Sequence, residues 1–199
     1  MIGAMALLVL GLVLFLGIHS VRIVADGARG RFIAARGKMA WRGLYSVISI
    51  AGFVLICVGF GQARRAPVVL WSPPIWTHHV AALLTLVAFV LLVAAYVPAN
   101  GIKARVKDPM ILGVKAWAFG HLLANGTLAD VVLFGSFLAW AVLDFRAVRQ
   151  RRRAGQEPDV AAPRRGRSAI TVVVGVLAWM LFAFHLHQPL IGVQPIPWH

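Results

Sequence analysis

Six stretches of this sequence are apolar for about the length of a bilayer crossing, and that confines the chain to very few folds. A hydrocarbon core of about 30 Å is crossed by roughly 20 apolar residues at about 1.5 Å per residue. The runs are approximately Ile2–Ile23, Leu44–Phe60, His79–Val97, Met110–Leu123, Leu128–Leu143 and Ala169–Leu186. Because the bilayer interior offers no water, each backbone N–H and C=O must find its partner within the protein. The predicted fold is therefore all-α, a polytopic transmembrane helix bundle of about six spans. Composition agrees: 60% of residues are hydrophobic and mean hydropathy is +0.82, more apolar surface than one soluble domain can cover. Spans four and five are short and joined only by Ala124-Asn125-Gly126-Thr127, which predicts a tight hairpin whose arms need not both cross fully. No positive region precedes the first run and Arg22 follows it, so it reads as a retained helix rather than a signal peptide.

The few charges have a strong bias. Twenty Lys and Arg stand against six Asp and Glu, a net charge of +14. Arg22, Arg29, Arg31, Arg36, Lys38 and Arg42 follow span one; Lys103, Arg105, Lys107 and Lys115 flank the start of span four; eight arginines lie between Arg146 and Arg167. The alternate side holds only Arg64 and Arg65. Lys and Arg near span ends are retained in the cytoplasm, so the expected topology is a multi-pass protein of the bacterial inner membrane with both termini periplasmic. Residues 1–145 are expected to form a five-span core, 146–168 a basic cytoplasmic linker, and 169–199 a sixth span with an external tail. The basic loops suit anionic lipid. Nucleic acid is not an expected partner, because no aromatic side chains interleave the arginines to stack on bases. On the other side Trp71, Pro73, Pro74 and Trp76 predict an interfacial loop anchored by indole rings, and Trp198 a similar anchor near the C-terminus.

A single cysteine, Cys57, excludes an intrachain disulfide, a Cys-based zinc or iron–sulfur site and a C-x-x-C-H haem attachment. No Walker loop, Rossmann glycine pattern, H-E-x-x-H motif or Ser-centred elbow occurs. Seven histidines remain as the ligand or catalytic set. His19 and His121 lie within apolar helices, where a polar side chain needs a partner. Two readings stand: each imidazole bonds a carbonyl or hydroxyl of a neighbouring helix, or both ligate one iron as neutral imidazoles. Gly113, Ala116, Gly120 and Ala124 form a small-residue stripe beside His121, open either to something flat or to ordinary helix packing. Arg22, one turn beyond His19, either pairs with a carboxylate such as a haem propionate or simply marks the inner side. His78, His79, His185 and His187 cluster at the outer ends of spans three and six, where solvated imidazoles and a two-metal or proton-handling site are the alternatives. Asp130, just past the Asn125-Gly126 turn, is expected to cap span five.

Depth bears on the pairing. Counted from Met110, His121 lies roughly 16 Å into span four; counted from Lys115, only about 9 Å. His19 lies about 4 to 5 Å from Arg22. A shared iron therefore requires a shallow fourth span.

Gly17-Ile18-His19-Ser20-Val21-Arg22, Trp41-Arg42-Gly43-Leu44-Tyr45-Ser46 and Asp108-Pro109-Met110 running into Trp117-Ala118-Phe119-Gly120-His121-Leu122-Leu123-Ala124-Asn125-Gly126 resemble the NnrU family of bacterial integral membrane proteins across nearly the whole chain. The resemblance implies a role associated with denitrification and nitric-oxide or nitrite metabolism. That family is in turn similar to the membrane domain of plant 15-cis-zeta-carotene isomerase, which carries a b-type haem held by histidines. His19 matches one ligand, in an apolar His-Ser context, and His121 the other, in a Trp-x-x-x-His context. Ala118 stands where the isomerase has a cysteine, and Asp108 where a histidine usually precedes the proline, so carotene isomerisation is not carried over. What the resemblance implies is haem b with His19 and His121 as metal ligands and Arg22, Arg42 and Lys107 as propionate contacts. Its expected work is redox or sensing chemistry with a redox or denitrification partner; as an enzyme it would be a haem-dependent oxidoreductase or isomerase-like protein. The alternatives are a cofactor-free transporter or channel and a structural membrane subunit.

Overall fold

The structure is a computed structural model and describes residues 2–195. Trp198 and His199 lie outside the described residues. Among the described residues, the elements are helical: α1 (Ile2–Val24), α2 (Asp26–Ala63), α3 (Trp76–Tyr96), α4 (Gly101–Val106), α5 (Pro109–Ala124), α6 (Leu128–Arg153), α7 (Arg167–Leu181), a π-helical turn (Phe182–Leu186) and α8 (His187–Ile191). The only strand-like pairing among the described residues is an isolated antiparallel bridge between Val69 and Thr127. Five helical stretches, Ile2–Val24, Asp26–Ala63, Trp76–Tyr96, Leu128–Arg153 and Arg167–Ile191, are long and apolar enough to cross a bilayer, and Pro109–Ala124 is a shorter apolar helix. The protein is a polytopic helical membrane protein.

Several boundaries differ from the expectation, each for a local reason. The second span belongs to a helix that begins at Asp26 and is broken at Gly37, whose φ of 85° is left-handed and suits only glycine. The fifth span is long: α6 runs 26 residues, through Arg153, so residues 146–153 of the expected linker are helical. Glu157, held by Arg151 at 2.7 Å, folds the following turn back against the end of that helix. α5 has 16 residues, about 24 Å of helix, and is the shorter arm of the expected hairpin. Pro189 has no N–H and its ring crowds the carbonyl four residues back, which accounts for the wider π turn where α7 ends.

The chain forms two compact units. One comprises residues up to Leu70 with Thr127–Ser136; the other comprises Trp71–Gly126 with the residues from Phe137 onward. In the first unit α1 packs along α2 through glycines. A Cβ on Gly11 would lie 2.6 Å from the Ile56 amide nitrogen, and one on Gly52 would lie 2.7 Å from that of Phe15; one on Gly59 would collide with the Leu8 backbone. With no hydrophobic drive between helices in lipid, this kind of small-residue seam supplies the attraction through close backbone packing. Leu8, Leu12 and Ile56 are buried there.

In the second unit α3 is central, packing against α5 and α7. Gly113 and Gly120 on α5 meet the Ala88 carbonyl oxygen and the Leu84 side chain, where added Cβ atoms would sit at 3.1 and 3.2 Å. Gly175 on α7 meets Val90 in the same way. The Trp179 indole N–H donates to Thr85 Oγ1 at 3.1 Å, satisfying a polar atom that lipid cannot. α5 and the later part of α6 run antiparallel: Asp108 pairs with Arg152 at 2.9 Å, and the Lys115 ammonium lies 3.7 Å above the Phe145 ring. Asn100, fully buried, organises the short bend after α3; its amide donates to the carbonyls of Ala94 and Val97 while its oxygen accepts from the Lys103 backbone.

The seam between α1 and α2 is testable. Gly52→Val should destabilise the protein by about 1–3 kcal/mol, the usual range for overpacking. Gly43→Ala, on the same helix with open space around it, should leave stability unchanged or slightly raised. Unfolding in detergent should separate the two variants clearly; equal stability would contradict the close approach.

Candidate functional site

The two membrane histidines have the same local construction. On α1 the His19 Nδ1–H donates to the Phe15 carbonyl at 2.6 Å, and the imidazole stacks on the Phe15 ring, centroids 4.2 Å apart at 26°. On α5 the His121 Nδ1–H donates to the Trp117 carbonyl at 2.9 Å, with the Trp117 and His121 rings 5.4 Å apart. Residues four apart lie above one another on a helix face, and the second lone pair of a helical carbonyl can take the extra bond. A carbonyl only accepts, so in both cases Nδ1 carries a proton, and in the neutral ring the lone pair is then on Nε2. One bond of each imidazole is thus made within the histidine's own helix.

Further contacts surround each histidine. In the first unit Tyr45 of α2 approaches His19 with centroids 5.0 Å apart at 55°. The aromatic run continues from Tyr45 to Trp41 and from Trp41 to Phe32. In the second unit Phe137 stands edge-on to Trp117 at 5.4 Å and 89°, and the Asn125 side-chain amide donates to the His121 carbonyl at 2.8 Å as α5 ends. Both histidines are half-buried. Phe15 was not among the residues singled out from the sequence, although an aromatic four residues before each histidine was an available signal, and Tyr45 stood there only within the motif at residues 41–46, with no role assigned to it.

The remaining candidates are distributed as follows. Arg22 is exposed, one turn past His19 on α1, and Arg42 is exposed on α2, three residues before Tyr45. Lys107 is exposed, ends α4 with a φ of 70°, and precedes the start of α5; the twelve residue-to-residue rises from Pro109 to His121 span about 18 Å, so Lys107 is not beside His121. The small-residue stripe serves helix packing at Gly113 and Gly120, which are closed by α3. At the outer histidines His187 donates through Nδ1 to the Val193 carbonyl at 2.8 Å. Among the described residues no group of three or more His, Cys, Asp or Glu side chains is placed to hold a metal ion, which leaves the two-metal alternative there without a ligand set.

Asp130 is a cap. Its Oδ2 accepts from the Thr127 backbone N–H at 3.1 Å and from the Thr127 hydroxyl at 2.6 Å, while Thr127 Oγ1 accepts from the Asp130 N–H at 3.3 Å. This reciprocal arrangement satisfies donors at the start of α6 and sets a carboxylate against its positive end. Thr127→Ala should therefore lower stability by about 1 kcal/mol, read as reduced resistance to unfolding in detergent; an unchanged stability would contradict the cap.

A family model described as NnrU protein matches residues 7–195. No curated protein and no solved structure matches the chain. With the match covering nearly the whole of a helical membrane protein, the chain belongs to the NnrU family, a family of membrane proteins.

Proposed function

We propose that this NnrU-family protein binds a b-type haem through His19 and His121 and serves redox or small-ligand sensing chemistry in nitric-oxide or nitrite metabolism. One observation carries the reading: two histidines on different helices are each held by an Nδ1–H bond to the carbonyl of an aromatic residue one turn back. Histidines that ligate metals commonly donate their other ring N–H to a carbonyl or carboxylate, which sets the tautomer and raises the basicity of the ligating nitrogen. The donor set fits: two neutral imidazoles present Nε2 lone pairs of the kind that serve as axial ligands to haem iron. Each histidine carries that evidence inside its own unit.

When bound, the haem would supply a one-electron couple or, with one ligand withdrawn, a position for a diatomic molecule. The chain's own residues do the rest. Phe15 and Trp117 hold the ligand tautomers, and apolar helices keep bulk water from the rings. Arg22 and Arg42 are the propionate candidates, since a guanidinium matches a carboxylate bidentately. The eighteen basic residues on one set of loops, against Arg64 and Arg65 on the other, support an inner-membrane location with Arg146–Ser168 cytoplasmic and both termini periplasmic. α5 is then a short crossing. Anionic lipid at the basic loops and a redox or denitrification partner complete the proposal.

Protein purified from haem-replete cells should show a Soret band that shifts on reduction. His19→Ala and His121→Ala should each abolish or strongly alter it, whereas His185→Ala should leave it unchanged. Colourless but folded wild-type protein, or a band indifferent to both ligand substitutions, would overturn the reading.

A further inference from the structure

His19 is gripped from two sides, and only one of the grips belongs to its own helix. Phe15 supplies the hydrogen-bonded carbonyl and a stacked ring. Tyr45 comes from α2, and its place is set by the glycine seam. With the Gly52 backbone against the Phe15 backbone, the next turn of α1 brings up His19. Seven residues back from Gly52, two turns along the antiparallel helix, stands Tyr45, its ring centroid 5.0 Å from the imidazole. The tyrosine ring is itself held by Trp41, at 6.4 Å.

We infer that Tyr45 is a positioning residue for His19: its ring, reaching across the α1–α2 seam, keeps the imidazole in one orientation and so preserves the Nδ1–H tautomer. Without a neighbour on that side the imidazole can turn about its Cβ–Cγ bond, break the bond to the Phe15 carbonyl and exchange tautomers. The aromatic ring does the holding, so phenylalanine substitutes for tyrosine and a flexible aliphatic chain of similar bulk does not. For iron binding, this rests on the haem proposal above; for the state of the imidazole, it stands by itself.

Two measurements test it on the full-length protein. The first uses no haem. In protein labelled with 15N-histidine and depleted of haem, the His19 ring nitrogens, assigned by their loss in His19→Ala, should report one tautomer with the proton on Nδ1. Tyr45→Phe should keep that pattern, and Tyr45→Leu should show averaging of the two nitrogens. The second titrates apo-protein with haem, where Tyr45→Leu should weaken binding by about tenfold or more, as losses of residues that orient a metal ligand do, and Tyr45→Phe should bind like wild type. If Tyr45→Leu retains the single tautomer and wild-type haem affinity, Tyr45 has no positioning role, even with the haem proposal intact. Wild-type protein that takes up no haem defeats the haem proposal, and the nitrogen spectra then decide the role of Tyr45 alone. Tyr45→Trp, a larger flat ring, serves as a second variant should Tyr45→Leu fail to fold; it should keep the tautomer, and averaging of the His19 nitrogens in Tyr45→Trp or in Tyr45→Phe would refute the claim that a flat ring does the holding.

Discussion

A bilayer interior gives a polar side chain no solvent to bond, and at several positions this protein answers by turning the group onto the backbone of its own helix. His19 and Ser20 each bond the carbonyl four residues back, as do His121 and Thr171. The consequence differs by chemistry. A hydroxyl is merely satisfied, whereas an imidazole is assigned a tautomer, because bonding one nitrogen as a donor leaves the other with its lone pair. The same physical demand that permits a histidine in the membrane thus fixes which nitrogen of a neutral ring can accept, which is what the proposed haem ligation requires.

Close backbone approach does the positioning. Along α1 and α2 the glycines at 11, 52 and 59 bring the chains so near that a Cβ has no room. This sets the register that places Tyr45 beside His19. In the other unit Gly113 and Gly120 on α5 and Gly175 on α7 perform the same service around α3. Small residues next to a candidate ligand were open to two readings in the sequence, and the packing of α3 decides for helix contact.

The spans were legible because a run of apolar residues as long as the bilayer is thick has few other uses. The hairpin after Ala124 and the cap at Asp130 could also be read, since Asn-Gly and Thr-x-x-Asp are local signals. The ends of the helices were not. Hydropathy falls at Arg146, yet α6 continues through Arg153 because arginine is a good helix former and ion pairs of Arg151 and Arg152 with Glu157 and Asp108 tie that end down. The early start of α2 was hidden for a similar reason, a basic segment being helical without being apolar. His19 and His121 stood out as polar residues in apolar helices, but Tyr45 could not, because its importance lies in a partner on another helix. Arg22 and Arg42 were legible as cations, and their exposure leaves the sequence argument as it was.

We propose that this member of the NnrU family holds haem through His19 and His121. Pyridine haemochrome analysis of native, full-length protein, set against its protein concentration, measures this most directly. Haem ligation by both histidines should give close to one non-covalent protohaem per chain in the wild type and a marked loss when both are replaced. Haem far below stoichiometry in well-folded wild-type protein supplied with haem, or equal content in the double variant, would contradict it.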